Sequence, residues 1–228
     1  MKAQIKILTL LASLASTAFG LPTLVLNPGL VTESPLLYGG EFTAKSATLS
    51  NSSYALPARS GTGFETFCMA YDQEFSYGDT LNYTLTNHTA DPGTGSIQAL
   101  TAGTAWLYSQ FAQGNLLITT GAQDTKLQLA FWWLQNSHGA PGIGVYDSGN
   151  YYENLVVGAL GSANVMTAAG SSNYGVSIIL TEYDNADGKF VRYAQPQLYY
   201  SVPDNGTTLA LLGVALLGLA GCRRKFSK

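Results

Sequence analysis

Charged side chains are scarce in this chain of 228 residues, of which only 11% are Asp, Glu, Lys or Arg. That share is less than half of what is usual for a soluble cytosolic domain, so long helices with charged faces are not expected. Between Leu21 and Pro203, five basic residues stand against thirteen acidic ones, which gives a net charge of −8. Such an acidic body repels phosphate backbones, so we expect no nucleic-acid partner.

Histidine and cysteine are also rare, with two of each. His88 and His138 both lie in polar stretches, so a histidine-based metal centre or catalytic triad lacks its parts. The fragment Asp184-x-x-Asp187-Gly188 lacks the third ligand and the closing Glu of a calcium loop, and is typical of a hairpin turn. We therefore expect no metal and no cofactor. Because no acid–base set can be recognised, we also do not expect an enzyme.

Glycine and tyrosine are abundant instead, with 25 and 14 copies, and 46% of the residues are apolar. Such a composition favours short strands joined by turns. Leu81, Tyr83 and Leu85 alternate strictly with polar residues, as a half-buried strand requires. We predict one β-rich domain over residues 21–201, with an antiparallel sheet in a sandwich or barrel-like arrangement and an α+β fold.

A change of period in the middle of the chain predicts a helical insertion at about residues 101–136. Its first helix runs over Ala102–Gln113 and is ended by Gly114. Its second helix runs over Thr125–Gln135, with Asp124 as the N-cap. The spacing i, i+3, i+4, i+7 gives the second helix one apolar stripe, made of Leu127, Ala130, Phe131 and Leu134.

After a loop over residues 136–149 we expect only strands. The segments Gly175–Tyr183 and Phe190–Tyr200 flank the dipeptide Asp187-Gly188, which is a favoured hairpin corner. The second half of the chain is therefore predicted to end in a β-hairpin.

The first twenty residues have the form of an export signal. Lys2 and Lys6 precede a short apolar run, and Ala18-Phe19-Gly20 places small residues at the positions that a signal peptidase reads. We therefore expect residues 1–20 to be a signal peptide that is removed from an exported protein.

The other end combines a turn, an apolar run and a basic tip. Residues 202–208 are rich in Pro, Asn and Gly, and residues 209–222 form an apolar membrane segment of marginal length. The basic cluster that follows favours the cytoplasmic side, and consists of Arg223, Arg224 and Lys225. The tail is predicted to hold the protein in the inner membrane only transiently.

This tail closely resembles the PEP-CTERM sorting signal in the variant that begins with Val202-Pro203-Asp204. The resemblance implies an exosortase-type membrane protease as partner, which cuts near that tripeptide. It further implies delivery to the cell envelope or to an extracellular exopolysaccharide matrix, so residues 202–228 are expected to be the sorting segment.

Cys68 is the one cysteine that remains once the tail, which contains Cys222, is removed. A single thiol in an exported protein calls for an explanation. Three remain open: a buried inert residue, a disulfide between two chains, or a thiol capped by another group.

Two short pieces resemble the signature of bacterial surface thioester domains. They are Phe67-Cys68 in a predicted strand, and Gln128-x-Ala130-Phe131-Trp132 on the second predicted helix. The resemblance implies that the Cys68 sulfur attacks the Gln128 carboxamide, with loss of ammonia, and leaves an internal thioester. Phe67, Ala130 and Trp132 would then be packing residues of the motif. An inert Cys68 and Gln128 pair is the alternative.

If the thioester forms, the N-terminus of the second helix is expected to polarise the Gln128 carbonyl. Phe67, Phe131, Trp132 and Trp133 are expected to exclude water. The predicted protein is a surface-attachment or biofilm-matrix protein that binds covalently to an amine-bearing partner.

The alternative is a noncovalent structural or sugar-contacting matrix module. Its candidate exopolysaccharide contacts are the tyrosine pairs Tyr151-Tyr152 and Tyr199-Tyr200.

Overall fold

The computed structural model describes residues 21–29, 31, 39–49, 63–71, 73–90, 97–137 and 143–201. In chain order, these form the strands and helices β1 (Thr23–Pro28), β2 (Glu41–Ser46), β3 (Phe64–Phe67), β4 (Thr80–Thr86), β5 (His88–Ala90), β6 (Ile97–Ala99), α1 (Ala102–Ala112), α2 (Gly121–Leu134), α3 (Tyr151–Leu160), β7 (Val176–Asp184), β8 (Phe190–Tyr193) and β9 (Gln197–Tyr200). The predicted class, a mainly antiparallel β fold with helices, is confirmed.

The main sheet has seven antiparallel strands and curves back on itself. Its path is β3-β2-β1-β4-β7, and β8 and β9 follow one another along the free side of β7. A bridge between Cys68 and Gln197 then joins the end of β3 to β9, and the Met69 N–H donates to the Pro196 carbonyl at 3.0 Å. The arrangement is therefore barrel-like, and Cys68 lies at its seam.

Two apolar clusters pack against the sheet. One contains alternate residues of the strands, such as Leu24, Leu26 and Phe42, together with Cys68 and Trp132. The other contains the apolar stripe of α2 and buried residues of α1. The predicted stripe is confirmed, since all four of its members are fully buried. Trp132 of α2 belongs to the cluster of Cys68, whereas the apolar stripe of α2 belongs to the other cluster. Helix α2 therefore joins the two clusters beside Cys68.

The helical insertion is confirmed in place, but its second helix begins earlier than expected. The N-cap of α2 is Thr120 and not Asp124. The Thr120 hydroxyl accepts from the Gln123 N–H, and the Gln123 side chain in turn accepts from the Thr120 N–H. This capping box satisfies two free backbone donors. Asp124 lies inside the helix and has another role.

A third helix, α3, occupies Tyr151–Leu160, where only strands were expected. Asn150 caps it by accepting from the Tyr152 N–H at 3.0 Å, and Gly161 follows it with a φ of 79°. Aromatic and β-branched residues make this segment look like a strand. Its cap and the buried pair Tyr152 and Val156, four residues apart, favour the helix.

The C-terminal hairpin is confirmed, with β7 and β8 joined through a turn in which Gly188 has a φ of 70°. The predicted strand Phe190–Tyr200 is divided into β8 and β9. Pro196 lies in the gap between them and has no N–H to give to a sheet. No helix in the described residues is long and apolar enough to cross a membrane.

Candidate functional site

Cys68 directly follows β3 and is fully buried. Its side chain belongs to the apolar cluster inside the curved sheet, and Gln197 lies opposite it in the antiparallel bridge. A sulfur with no exposed surface cannot reach a second chain. The structure therefore gives no support to a disulfide between two chains.

Gln128 meets Cys68 across the 60 residues that separate them in sequence. The Cys68 thiol donates to Gln128 Oε1 at 3.3 Å, and Gln128 Nε2 donates to the Cys68 carbonyl at 2.8 Å. A third hydrogen bond runs from the Gly40 N–H to Gln128 Oε1 at 3.0 Å. Both ends of the carboxamide are thereby fixed, and the sulfur lies beside the carbonyl group that it would attack.

One row of side chains along α2 faces this site. Asp124, Gln128 and Trp132 are spaced four residues apart, so they lie on the same side of the helix. All three side chains are buried, although two of them are polar. They meet the segment Gly39–Glu41, which enters β2, and this row therefore sets the position of that segment relative to Cys68.

Asp124 lies at the end of the row that is farthest from Trp132. Its Oδ1 accepts from the Glu41 N–H at 2.9 Å, while Oδ2 is buried and has no hydrogen-bond partner in the part of the chain that the structure describes. Burial, and after it the nearby Glu41 carboxyl, raises the pKa of Asp124 to about 7. Near neutral pH a large share of this carboxyl is therefore protonated.

Trp132 covers the site from the other end of the row. Its ring is fully buried and stands edge-on to Tyr71, with the ring centroids 5.1 Å apart and the planes at 90°. A Cβ on Gly39 would come within 2.5 Å of the indole ring, so glycine is required for this close approach. Cys68 and Gln128 are thus shielded from water.

The other aromatics expected to form the shield lie elsewhere. Phe67, Phe131 and Trp133 belong to the cluster between the sheet and the helices, where Phe67 packs on Phe111 and Phe131. Ala130 is buried in that same cluster. Of the four aromatic side chains expected around the sulfur, only Trp132 shares the cluster of Cys68.

The expected source of carbonyl polarisation is also corrected. Because α2 begins at Gly121, Gln128 lies about two turns inside the helix, where the backbone N–H groups are already bonded. The donor to its Oε1 is instead the N–H of Gly40, a residue with a φ of 133° that favours glycine.

The chemistry that this geometry allows is acyl transfer to sulfur. An N–H that already points at a carbonyl oxygen can stabilise the negative charge that forms there when a nucleophile attacks the carbon. Among the described residues, no group of three His, Cys, Asp or Glu side chains is placed to hold a metal ion. The site is built from a thiol, a carboxamide, a carboxyl and backbone N–H groups.

A separate cavity of about 350 Å³ lies where the N-terminal ends of α2 and α3 approach each other. It is lined by Tyr151, Tyr152, Gln123 and Lys126, among others, and the Tyr151 ring is largely exposed. The second tyrosine pair differs, since Tyr199 is buried against Phe64. Of the two pairs considered for sugar contacts, only the first therefore offers an exposed ring beside a cavity.

Sequence reasoning selected Cys68 and Gln128 but missed Gly39, Gly40 and Asp124 as parts of their surroundings. The signal for Asp124 was its spacing of four residues from Gln128, which an N-cap assignment concealed. The Gly39-Gly40 doublet carried no sign of its long-range contact with α2.

The proposed signal peptide, His138 and all the residues of the predicted sorting segment lie outside the described residues. These sorting residues include Val202, Pro203, Asp204, Arg223, Arg224 and Lys225.

Comparison with known proteins supports the sorting segment. A family model described as the VPDSG-CTERM motif matches residues 201–226. Searches of curated proteins and of solved structures found no match for the chain. The family match covers only the tail, and it indicates an exported, envelope-associated protein that carries a C-terminal sorting motif.

Proposed function

We propose that this chain is a surface-attachment or exopolysaccharide-matrix protein that forms an internal thioester between Cys68 and Gln128. An exosortase-type protease would act on its tail, after which the domain would react with an amine-bearing partner. The observation that carries the proposal is the buried contact of 3.3 Å between Cys68 Sγ and Gln128 Oε1.

Bond formation is a balanced exchange. The Cys68 sulfur attacks Cδ of Gln128 and forms a C–S bond, while negative charge gathers on Oε1 next to the Gly40 N–H. The C–N bond then breaks, and the nitrogen leaves as ammonia together with the proton of the thiol. No oxidant, metal or cofactor takes part.

Attachment would reverse the roles of sulfur and nitrogen. An amine of the partner attacks the thioester carbon, the C–S bond breaks, and Cys68 regains its proton from the amine. The product is an amide between Gln128 and the partner. Each molecule reacts once, so this is covalent adhesion and not turnover.

Exclusion of water supports the persistence of such a bond. Cys68 has no exposed surface, Gln128 is 1% exposed, and Trp132 is fully buried over them. A reactive acyl group survives longer where water is kept out. The same burial requires a local opening of the site before a partner amine can enter.

Intact-mass measurement of the secreted protein tests the proposal. We expect the wild-type mass to be lower than the sequence mass by one ammonia, and methylamine treatment to add one methylamine. Gln128→Glu keeps the shape of the side chain but has no amide nitrogen to lose, so its mass should stay that of its sequence. Cys68→Ser is the second control and should take up no methylamine.

An unmodified wild-type mass, with a Cys68 thiol that reacts with a thiol reagent after unfolding, would overturn the thioester. The hydrogen-bonded pair would then be the inert alternative, a buried thiol and a satisfied carboxamide.

A second candidate function, a noncovalent sugar-contacting matrix module, is favoured by the cavity beside Tyr151. An exposed aromatic ring next to polar side chains suits stacking on a sugar ring. Binding to soluble dextran, alginate and cellulose oligomers should then survive Cys68→Ala and be lost in Tyr151→Ala. Equal binding of the wild type and Tyr151→Ala would remove this candidate.

A further inference from the structure

Asp124 is a carboxyl group with no exposed surface inside a helix, and one of its oxygens has no hydrogen-bond partner within the described residues. Burying a polar group without partners costs free energy, so such a residue needs a specific reason to be there. Within the described residues, its side chain makes one hydrogen bond, which links α2 to the backbone of Glu41, 83 residues earlier in the chain.

That hydrogen bond is one of a pair. The N–H of Glu41 reaches Asp124 at 2.9 Å and the N–H of Gly40 reaches Gln128 at 3.0 Å, so two consecutive N–H groups are held by side chains one helical turn apart. A single bond would leave the segment free to rotate about it. Two bonds fix its distance from α2 and its orientation.

We propose that Asp124 is a positioning residue for the acyl transfer: by holding the Glu41 N–H it keeps the Gly40 N–H aimed at Gln128 Oε1, where negative charge develops. The inference rests on the proposed thioester and adds the part of the site that stabilises the oxyanion. Asp124 acts through Gly40.

Burial, and after it the Glu41 carboxyl, decides which charge state of Asp124 is favoured. Glu41 on β2 and Tyr152 on α3 interact with it electrostatically, and neither supplies a positive charge. Burial and the Glu41 carboxyl raise the pKa of Asp124, which favours its neutral form. A neutral acceptor is enough for the role, because the Glu41 N–H needs only an oxygen. Asparagine can supply that oxygen.

Three variants of the secreted protein separate positioning from support of the fold. Asp124→Ala removes the acceptor, whereas Asp124→Asn retains an oxygen for the Glu41 N–H. Thr120→Ala weakens the N-terminus of the same helix by removing its cap, and the hydrogen bonds of that cap are to Gln123 and not to the Gly39–Glu41 segment. Each variant is unfolded by denaturant to measure its stability, and its bonded fraction is measured by intact mass at set times after export.

We expect the thioester to form about 10²-fold more slowly in Asp124→Ala than in the wild type, as for loss of an oxyanion donor. Asp124→Asn and Thr120→Ala should both form the bond at nearly the wild-type rate.

Wild-type kinetics in Asp124→Ala would overturn the positioning role while leaving the thioester intact. If the thioester forms as slowly in Thr120→Ala as in Asp124→Ala, the positioning role is also overturned, because helix stability would then explain the effect. Slow formation in Asp124→Asn would overturn it as well, because this variant retains the hydrogen-bond acceptor. A wild-type protein that never loses ammonia would overturn the proposed function itself, and the positioning role with it.

Discussion

The site is packed so closely at Gly39 that there is no room for a side chain at this position. A Cβ at this position would lie 2.5 Å from the Trp132 ring and 3.2 Å from Cγ of Gln128. The ring is enclosed, so it cannot move aside without disturbing Tyr71 or the carboxamide. The close contact therefore links a backbone position on one segment to the geometry of the Gln128 carboxamide on another.

We predict that Gly39→Ala lowers the free energy of unfolding by roughly 1–3 kcal/mol, as overpacking does, and reduces the bonded fraction. Gly158→Ala is the matched control, because a Cβ on Gly158 has open space around it. In the interior of α3 it should stabilise the protein by about 0.5–1 kcal/mol. Denaturant unfolding and intact mass measure both effects, and an unaffected Gly39→Ala would contradict the packing described here.

The raised pKa of Asp124 has a consequence for stability. The native state holds a proton on this carboxyl up to about pH 7, whereas the unfolded chain releases it near pH 4. Between these values the native state binds more protons, so the free energy of unfolding falls as the pH rises.

We predict that Asp124→Asn removes this part of the pH dependence, so its unfolding free energy falls less steeply than that of the wild type between pH 4 and pH 7. Burial also raises the pKa of Glu153, which leaves a residual slope of the same sign. Asn185→Ser in the exposed hairpin turn, which removes no ionisable group, is the control and should keep the wild-type slope. Identical slopes in Asp124→Asn and the wild type would contradict the buried, neutral carboxyl.

At the scale of elements, Asn150 connects two helices. It caps α3, and its Nδ2 donates to the Lys126 carbonyl of α2 at 2.8 Å and to Glu153 Oε1 at 2.9 Å. The residue is 1% exposed, so water cannot replace these bonds. The orientation of α3 on α2 therefore depends on this side chain.

We predict that Asn150→Ala lowers the free energy of unfolding by about 2–3 kcal/mol, because a cap is lost and the buried Glu153 loses a partner. Thr120→Ala loses a cap in a more exposed place and should cost about 1 kcal/mol. Thermal or denaturant unfolding of the two variants compares them. Equal losses would mean that the bonds from Asn150 Nδ2 contribute nothing.

Elements with one clear period were predictable from the sequence, and the others were not. The alternation of β4 and the apolar stripe of α2 each indicate one structure, and both are present. In α3, the tyrosines and valines favour a strand locally, but packing against α1 and α2 and the Asn150 cap decide for a helix. Long-range contacts such as Gly40 with Gln128 leave no local pattern, so the surroundings of Cys68 could only be found in the fold.

At the scale of the whole molecule, the sorting motif and the buried Cys68–Gln128 contact lie in separate parts of the chain. The family match lies within residues 201–226, and the buried thiol and carboxamide lie within the β-rich domain. Changes in the tail are therefore expected to alter delivery without altering the contact between Cys68 and Gln128.

We predict that replacing Val202-Pro203-Asp204 by three alanines keeps the full-length C-terminus on the protein and leaves it in the membrane fraction. Cell fractionation with intact mass of the C-terminal peptide tests this. The control replaces Asn185, in the exposed hairpin turn, by serine and should be processed normally. Normal processing of the triple-alanine variant would contradict the role of the tripeptide.

The position of Cys68 at the seam of the sheet has a consequence for the unfolded chain. A bond from this residue to Gln128 would close a covalent ring around the 60-residue interval between them. Such a ring lowers the entropy of the unfolded chain, and this raises the free energy of unfolding by about 4 kcal/mol. Capture of a partner opens the ring, because the sulfur is released. The domain would therefore be less stable to unfolding after capture than before it, and this loss of stability would distinguish molecules that have captured a partner from those that have not.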